Sequence, residues 1–155
     1  MKEGLEREKA IALNRKEKKD LVKHDRSHGI LVYAGDQAVG WCQYGPAKEL
    51  PRIDSGRNYS KLDLSEDRGP KLWRLTCFFV DRDFRKKGVA KVALKAALDS
   101  IQKQGGGIVE GYPLTSKEGG SWSLWFGTVA MFEREGFKAH AKLGEKHLLM
   151  RKTLA

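Results

Sequence analysis

Residues 72–98 read LWRLTCFFVDRDFRKKGVAKVALKAAL, and the fold turns on how this stretch is divided. Leu72 to Val80 is aromatic, β-branched or apolar apart from Arg74, which is the composition of a strand. From Val89 onward the period changes. Lys91, Lys95 and Asp99 share one helical stripe, while Val89, Val92, Ala93, Ala96, Ala97 and Ile101 make up the apolar remainder. Between strand and helix lies a basic turn holding Arg82, Arg85, Lys86, Lys87 and Gly88. A helix N-terminus has unpaired N–H groups and partial positive charge, so this turn suits an anion. Gly88 allows close approach of backbone to ligand, and Ala90 keeps the first helical turn free of bulk. These residues imply a diphosphate or similar anion and leave the reaction open.

Composition narrows the class. The chain of 155 residues suits one domain, 1–155, with a charged helical segment over 1–28 and a core over 29–155. Charged residues make up 32% and hydrophobic ones 40%, as in a folded protein with a heavily charged surface. The formal net charge of +10 fits an anionic ligand and equally fits nucleic acid. No apolar run is long enough to span a membrane, and Cys42 and Cys77 read as reduced core or site residues. Both features lead us to expect a cytoplasmic protein.

Along the chain, Asn14 and Glu17 form the pattern of a capping box, so two helical pieces are expected within 2–26. The basic residues there alternate with Glu17, Asp20 and Asp25, as on a solvated helix face. His24 and His28 lack a third ligand nearby, and no metal site is expected. Residues 30–34 and 38–44 form a hairpin around Gly35-Asp36-Gln37. Residues 46–70 have no period and read as a loop with a packed-down portion. Gly105–Gly107 ends the central helix, and the short link returns strand 108–112 as a parallel neighbour of 72–80. The glycine run does not match the dinucleotide or phosphate-loop patterns. A polar loop (114–123), a helix (124–135) and two strands (138–143 and 147–153) complete the reading.

Arg85-x-x-Gly88-x-Ala90 after a strand ending in Val80 resembles the acetyl-CoA signature of the GCN5-related N-acetyltransferase (GNAT) family. Met131-Phe132, followed by Gly136-Phe137, is similar to the family's second motif, and the hairpin looks like its paired second and third strands. The resemblance covers roughly residues 30–155 and implies an α+β fold. Its sheet would be mostly antiparallel and twisted, flanked by helices, with one parallel pair at the cofactor site. It also implies acetyl transfer from acetyl-CoA to a small-molecule or peptide amine.

The implied cofactor contacts are Phe78, Phe79, Val80, Arg85, Lys86, Lys87, Gly88, Val89, Ala90, Trp125 and Phe132. Two of them depart from the family pattern. Phe132 stands where a proton-donating Tyr is common, and Trp125 replaces an Asn. Glu110 and Tyr112, at the end of their strand, are the remaining acid–base candidates, with ion-paired Glu and packed Tyr as the alternative. A catalytically silent acyl-CoA-binding module, or a basic nucleic-acid-binding protein, is the rival function. Nucleic acid is the less favoured partner, since no aromatic–basic platform is present.

The family's first strand has no counterpart before Ile30, so the outer edge of strand 30–34 needs a cover. A second copy of the chain, the N-terminal helices, or a chain shortened from a longer protein would each account for it.

Overall fold

A computed structural model describes residues 2–64, 71–115 and 125–155. The chain opens with one continuous helix, α1 (Lys2–Lys23), so the expected break at Asn14 does not occur. Strong helix formers on both sides carry the backbone through that single weak position. The helix stops where Asp25 turns left-handed (φ 54°) and Arg26 N–H reaches back to Leu21 O at 2.8 Å. Almost all of α1 is exposed, and its apolar residues Leu5, Ile11, Leu13 and Val22 form no common stripe. Its clearest tie to the body is Lys18, which bonds Ser27 Oγ and lies 5.1 Å from the Trp41 ring centroid.

Strands β1 (His28–Ala34) and β2 (Gln37–Pro46) form the hairpin, with Ile30 opposite Cys42 and Gly35 at φ 60° in the turn. β2 pairs antiparallel with β3 (Leu72–Val80), Cys42 facing Phe78. Helix α2 (Val89–Lys103) then crosses over to β4 (Gly107–Gly111), which runs parallel to β3 from Leu72–Ile108 to Leu75–Gly111. Gly105, Gly106 and Gly107 all have positive φ, and Trp73 Nε1 donates to Gly106 O at 3.0 Å. The short parallel return is therefore stitched to the strand it joins.

Strands β5 (Lys138–Leu143) and β6 (His147–Leu154) complete one sheet of order β1-β2-β3-β4-β6-β5. This is the expected α+β arrangement, with its parallel pair at the centre. Between β4 and β5, helix α3 spans only Val129–Arg134, shorter than the apolar run beginning at Leu124 suggests. Gly127 (φ 74°) breaks the backbone, and Thr128 Oγ1 caps the helix by accepting from Met131 N–H at 3.1 Å. The loop expected over 114–123 lies outside the described residues from Ser116 onward.

The core sits between α2 and one face of the sheet. Ala93, Leu94, Ala97, Leu98 and Ile101 pack on Cys42, Tyr44, Trp73, Leu75, Phe78, Val109 and Met150. Burial of Leu94, Leu98 and Ile101 alone is worth about 2 kcal/mol each. Val92, in contrast, faces solvent at 54% exposure, so the apolar stripe of α2 is narrower than its sequence suggests. The other face carries Arg74, since alternation turns it away from Trp73 and Leu75. Residues 47–64 cover it with three short 3-10 turns, Ala47–Glu49, Pro51–Ile53 and Tyr59–Lys61.

Candidate active site

At its carboxyl end β3 outruns its parallel neighbour. The last β3–β4 pair is Leu75–Gly111, so among the described residues Thr76 to Val80 keep only β2 as a ladder partner. The result is a fork between β3 and β4 in which, among the described residues, one side of Thr76–Val80 has no strand partner. Open sheets place ligand sites at the carboxyl ends of such strands.

The turn after β3 is built to stay open. Asp81 Oδ1 accepts from Asp83 N–H at 2.9 Å, starting a 3-10 turn at Arg82–Phe84. Arg85 Nε then donates back to Val80 O at 3.3 Å, folding the turn against the strand end. Lys86 (φ 61°) and Gly88 (φ 79°) are both left-handed, which produces the kind of concave run of N–H groups that cradles anions. No atom lies within 4 Å of where a Gly88 Cβ would stand, so the approach to the helix start is clear. Gly40 on β2 leaves room for the Val89 side chain, and this close contact seats the N-terminus of α2 beside the fork. Arg85–Ala90 and the free edge Thr76–Val80 thus form adjoining parts of one surface.

The aromatic candidates divide. Phe79 and Trp125 are 45% and 49% exposed and meet edge to face at 6.1 Å. Phe78 and Phe132 are instead core residues, 6.0 Å apart, and the Phe132 ring lies against Gly111 where β4 ends. Their side chains support the fork from within and offer nothing to a ligand at its surface.

Glu110 and Tyr112 do not face an open cleft. Glu110 is fully buried, and both its oxygens are occupied. Tyr112 Oη donates to Oε2 at 2.8 Å, Tyr59 Oη lies 3.0 and 2.9 Å from the two oxygens, and Arg151 donates to Oε1 from Nε (3.1 Å) and Nη2 (2.8 Å). Arg74, the register partner of Glu110, binds Asp54 through Nη2 (2.7 Å) and Nη1 (3.0 Å), and Leu50 O at 2.9 Å. Burial, the largest single effect, would lower the Arg74 pKa. The bond to Asp54, joined by smaller effects from Tyr112 and Tyr59, outweighs it and holds the guanidinium above its usual value. Burial, reinforced by Glu110, pushes the Tyr112 phenol well up and the Tyr59 phenol up, so both stay protonated as donors. Arg74, Asp54, Tyr59 and Arg151 were not among the expected site residues. The lone charge of Arg74 in an apolar strand was their one visible signal.

His28 bonds Glu49 Oε2 at 2.8 Å and approaches Asp25 at 3.3 Å, while His24 Nδ1 lies 2.7 Å from Asp20 O, so the two histidines do not converge. Among the described residues no helix is long and apolar enough to cross a membrane. Arg57, Asn58 and Leu143–His147 line an open cavity of about 480 Å³. It lies at the carboxyl end of β4, where Leu148 N–H bonds Pro113 O at 3.0 Å.

The family model described as acetyltransferase (GNAT) family matches residues 2–111. The chain belongs to that family. The match takes in α1 and ends at Gly111, so the likeness of Met131–Phe137 to the second family motif lies beyond it. A comparison with curated proteins returns no match.

Solved structures agree on the fold. A ribosomal-protein-alanine N-acetyltransferase from Brucella melitensis aligns with TM-score 0.60 at 17% identity, over 91% of this chain and 77% of that one. An acetyltransferase from Salmonella typhimurium, solved with acetyl-CoA, gives 0.59 at 12% identity over 92% and 73%. A GNAT-family acetyltransferase from Desulfovibrio desulfuricans gives 0.58 at 15% identity over 88% and 76%.

Proposed function

We propose that this GNAT protein is an N-acetyltransferase that moves the acetyl group of acetyl-CoA to a primary amine by direct attack in a ternary complex. The observation that carries this reading is the continuity of an anion-cradling turn, Arg85–Ala90, with a free strand edge, Thr76–Val80. The open approach to Gly88 and the left-handed Lys86 fit a diphosphate, and the unpaired edge fits the amides of a pantetheine arm. Acetyl-CoA, when bound, supplies the activated acyl group as a thioester.

The chain's own residues then have separable tasks. Backbone N–H groups from Lys86 to Ala90 hold the diphosphate, and Arg85, Lys86 and Lys87 add full charges. Backbone at Phe78–Val80 aligns the arm and polarises the thioester carbonyl. Phe79 and Trp125, half exposed and in contact, shield that stretch from water. Phe132 is buried and has no proton to give, so the departing thiolate takes its proton from solvent. Holding amine and carbonyl together is the largest contribution asked of the protein. Glu110 and Tyr112 act by fixing the shape of the acceptor side.

The acceptor enters from the side of residues 47–64, where Arg57, Asn58 and the β5–β6 turn border the cavity. The likeness to a ribosomal-protein-alanine N-acetyltransferase makes a peptide with a free N-terminal alanine the first acceptor to try. The cytoplasm, where acetyl-CoA and reduced thiols coexist, is the compartment this reading requires. The deciding experiment follows free thiol released from acetyl-CoA with that peptide, a lysine peptide and spermidine. Binding of acetyl-CoA without turnover on any amine would favour a silent acyl-CoA-binding module. Absence of binding would end the cofactor assignment.

A further inference from the structure

His147 opens β6 and stands beyond the carboxyl end of β4, where Leu114 is its bridge partner. Its ring is held at two points. Nδ1 lies 3.1 Å from Tyr112 O, and the ring meets that of Phe126 edge to face at 4.8 Å. A carbonyl oxygen can only accept, so Nδ1 carries the hydrogen of that bond. In the neutral ring this leaves Nε2 with a free lone pair. Among the described residues Nε2 has no hydrogen-bond partner, and it is not one of the buried polar atoms closed to solvent. The open side is the acceptor side, since His147 borders the cavity of about 480 Å³ together with Arg57 and Asn58. Tyr112 is itself held, its Oη donating to Glu110 Oε2 at 2.8 Å, so the buried network fixes the carbonyl that orients the ring.

A line of contacts joins His147 to the fork. Phe78 lies in the core under α2, so Phe79, next along β3, belongs to the opposite face. There Phe79 meets Trp125, with ring centroids 6.1 Å apart, and the residue after Trp125 is the Phe126 that touches His147. Leu149, two residues beyond His147 on β6, packs with Tyr59 and Tyr112 on that same face. The strand end assigned to the thioester and the free imidazole nitrogen thus flank one short aromatic bridge on one side of the sheet.

We infer that His147 Nε2 is the general base of acetyl transfer, taking a proton from the ammonium form of the acceptor so that it attacks as a neutral amine. This deepens the acetyl-transfer reading and rests on it. The first proton passes from the amine nitrogen to Nε2, and the resulting imidazolium strengthens its Nδ1–H bond to Tyr112 O. The bond formed is nitrogen to acyl carbon, and the bond broken is carbon to sulfur. The amine's second proton goes to solvent as the thiolate leaves, and solvent returns one proton to the sulfur. Nε2 then gives up its own proton to water in the open cavity.

His147→Asn and His147→Ala test the inference by melting without ligand, calorimetric affinity for acetyl-CoA, and rates with the N-terminal-alanine peptide and spermidine. The Asn amide keeps a donor for Tyr112 O and removes the basic nitrogen, so this variant should melt within a few degrees of the wild type. Its affinity for acetyl-CoA should stay within about twofold, while kcat for the amine falls about 100-fold, the usual worth of a positioned base. Added imidazole should raise the rate of His147→Ala several-fold and leave the wild type unchanged. A His147→Asn protein that melts many degrees lower, or turns over as fast as the wild type, would make the ring structural and overturn the inference. A loss confined to acetyl-CoA affinity, or a His147→Ala rate that imidazole does not raise, would overturn it as well. A wild type that turns over neither amine removes the acetyl-transfer reading and the inference together. An active wild type matched by both variants removes the inference alone.

Discussion

Arg74 and Glu110 face each other as register partners across the parallel β3–β4 pair, both fully buried, with Arg74 Nε 3.8 Å from Glu110 Oε2. Each spends its best hydrogen bonds elsewhere, Arg74 on Asp54 and Leu50 O, Glu110 on Tyr59, Tyr112 and Arg151. The pair therefore ties three separate parts of the chain to the strands that form the fork: residues 50–59, Tyr112 beyond the end of β4, and β6. That is a positioning role for Glu110.

Glu110→Gln keeps the side-chain shape and removes the negative charge between two arginines. Removing one member of a buried ion pair leaves the others uncompensated, and we expect a loss of about 3–5 kcal/mol in stability. Urea unfolding measures it directly. A variant as stable as the wild type would show that the network does not hold residues 50–59 to the sheet.

Gly88 separates backbone strain from ligand repulsion. At φ 79° any L-residue is strained, so Gly88→Ala should lose about 1–2 kcal/mol of stability. A Cβ there meets no protein atom within 4 Å, so any loss of acetyl-CoA affinity in Gly88→Ala reports crowding of the ligand by one methyl group. Gly88→Glu adds a negative charge at the diphosphate and should weaken binding at least tenfold more than Gly88→Ala does, about 1.4 kcal/mol of repulsion. Equal calorimetric affinities for the two variants would move the anion site off this turn.

These expectations could be drawn from sequence where the signal is local. The strand–turn–helix of 72–98 and the glycine return to β4 are written in consecutive residues, and the structure has both. Helix α3 was misjudged because an apolar run hid the break at Gly127 and the cap at Thr128. The burial of Glu110 was hidden for another reason. Its partners come from Tyr59, Tyr112 and Arg151, and no periodicity within one segment reports a contact made between three.

Tyr59 and Tyr112 give the fold an alkaline limit. Both phenols are raised above their usual value, chiefly by burial, so the folded state holds their protons more tightly than the unfolded chain does. Their contribution is complete below the unfolded phenol value, about 10, and is lost as pH rises toward the higher folded values. The melting temperature should be flat to about pH 9 and fall above 10, less steeply for Tyr112→Phe. An equally steep fall in that variant would assign the limit to other groups.

The free edge of β1 bears on assembly. We propose that it is covered by the same strand of a second copy about a two-fold axis. Among the described residues β1 pairs only with β2, and α1, exposed along most of its length, does not shield Leu31 (54% exposed) or Tyr33 (57%). The strand His28–Ala34 has no lysine, acidic residue or proline to discourage pairing. The register shifts between Val32 and Tyr33, where β2 carries Val39 as an extra residue, so regular antiparallel self-pairing of β1 should centre on His28–Val32. Two copies so joined would bring the Leu31 side chains near each other on one face and satisfy both backbone edges. Sedimentation at micromolar concentration should give a dimer, and Leu31→Lys, which places like charges across the axis, should give a monomer with an intact fold by circular dichroism. If the wild type sediments as a monomer while its Leu31 and Tyr33 amides exchange slowly, a segment of its own chain covers the edge and the dimer must be abandoned.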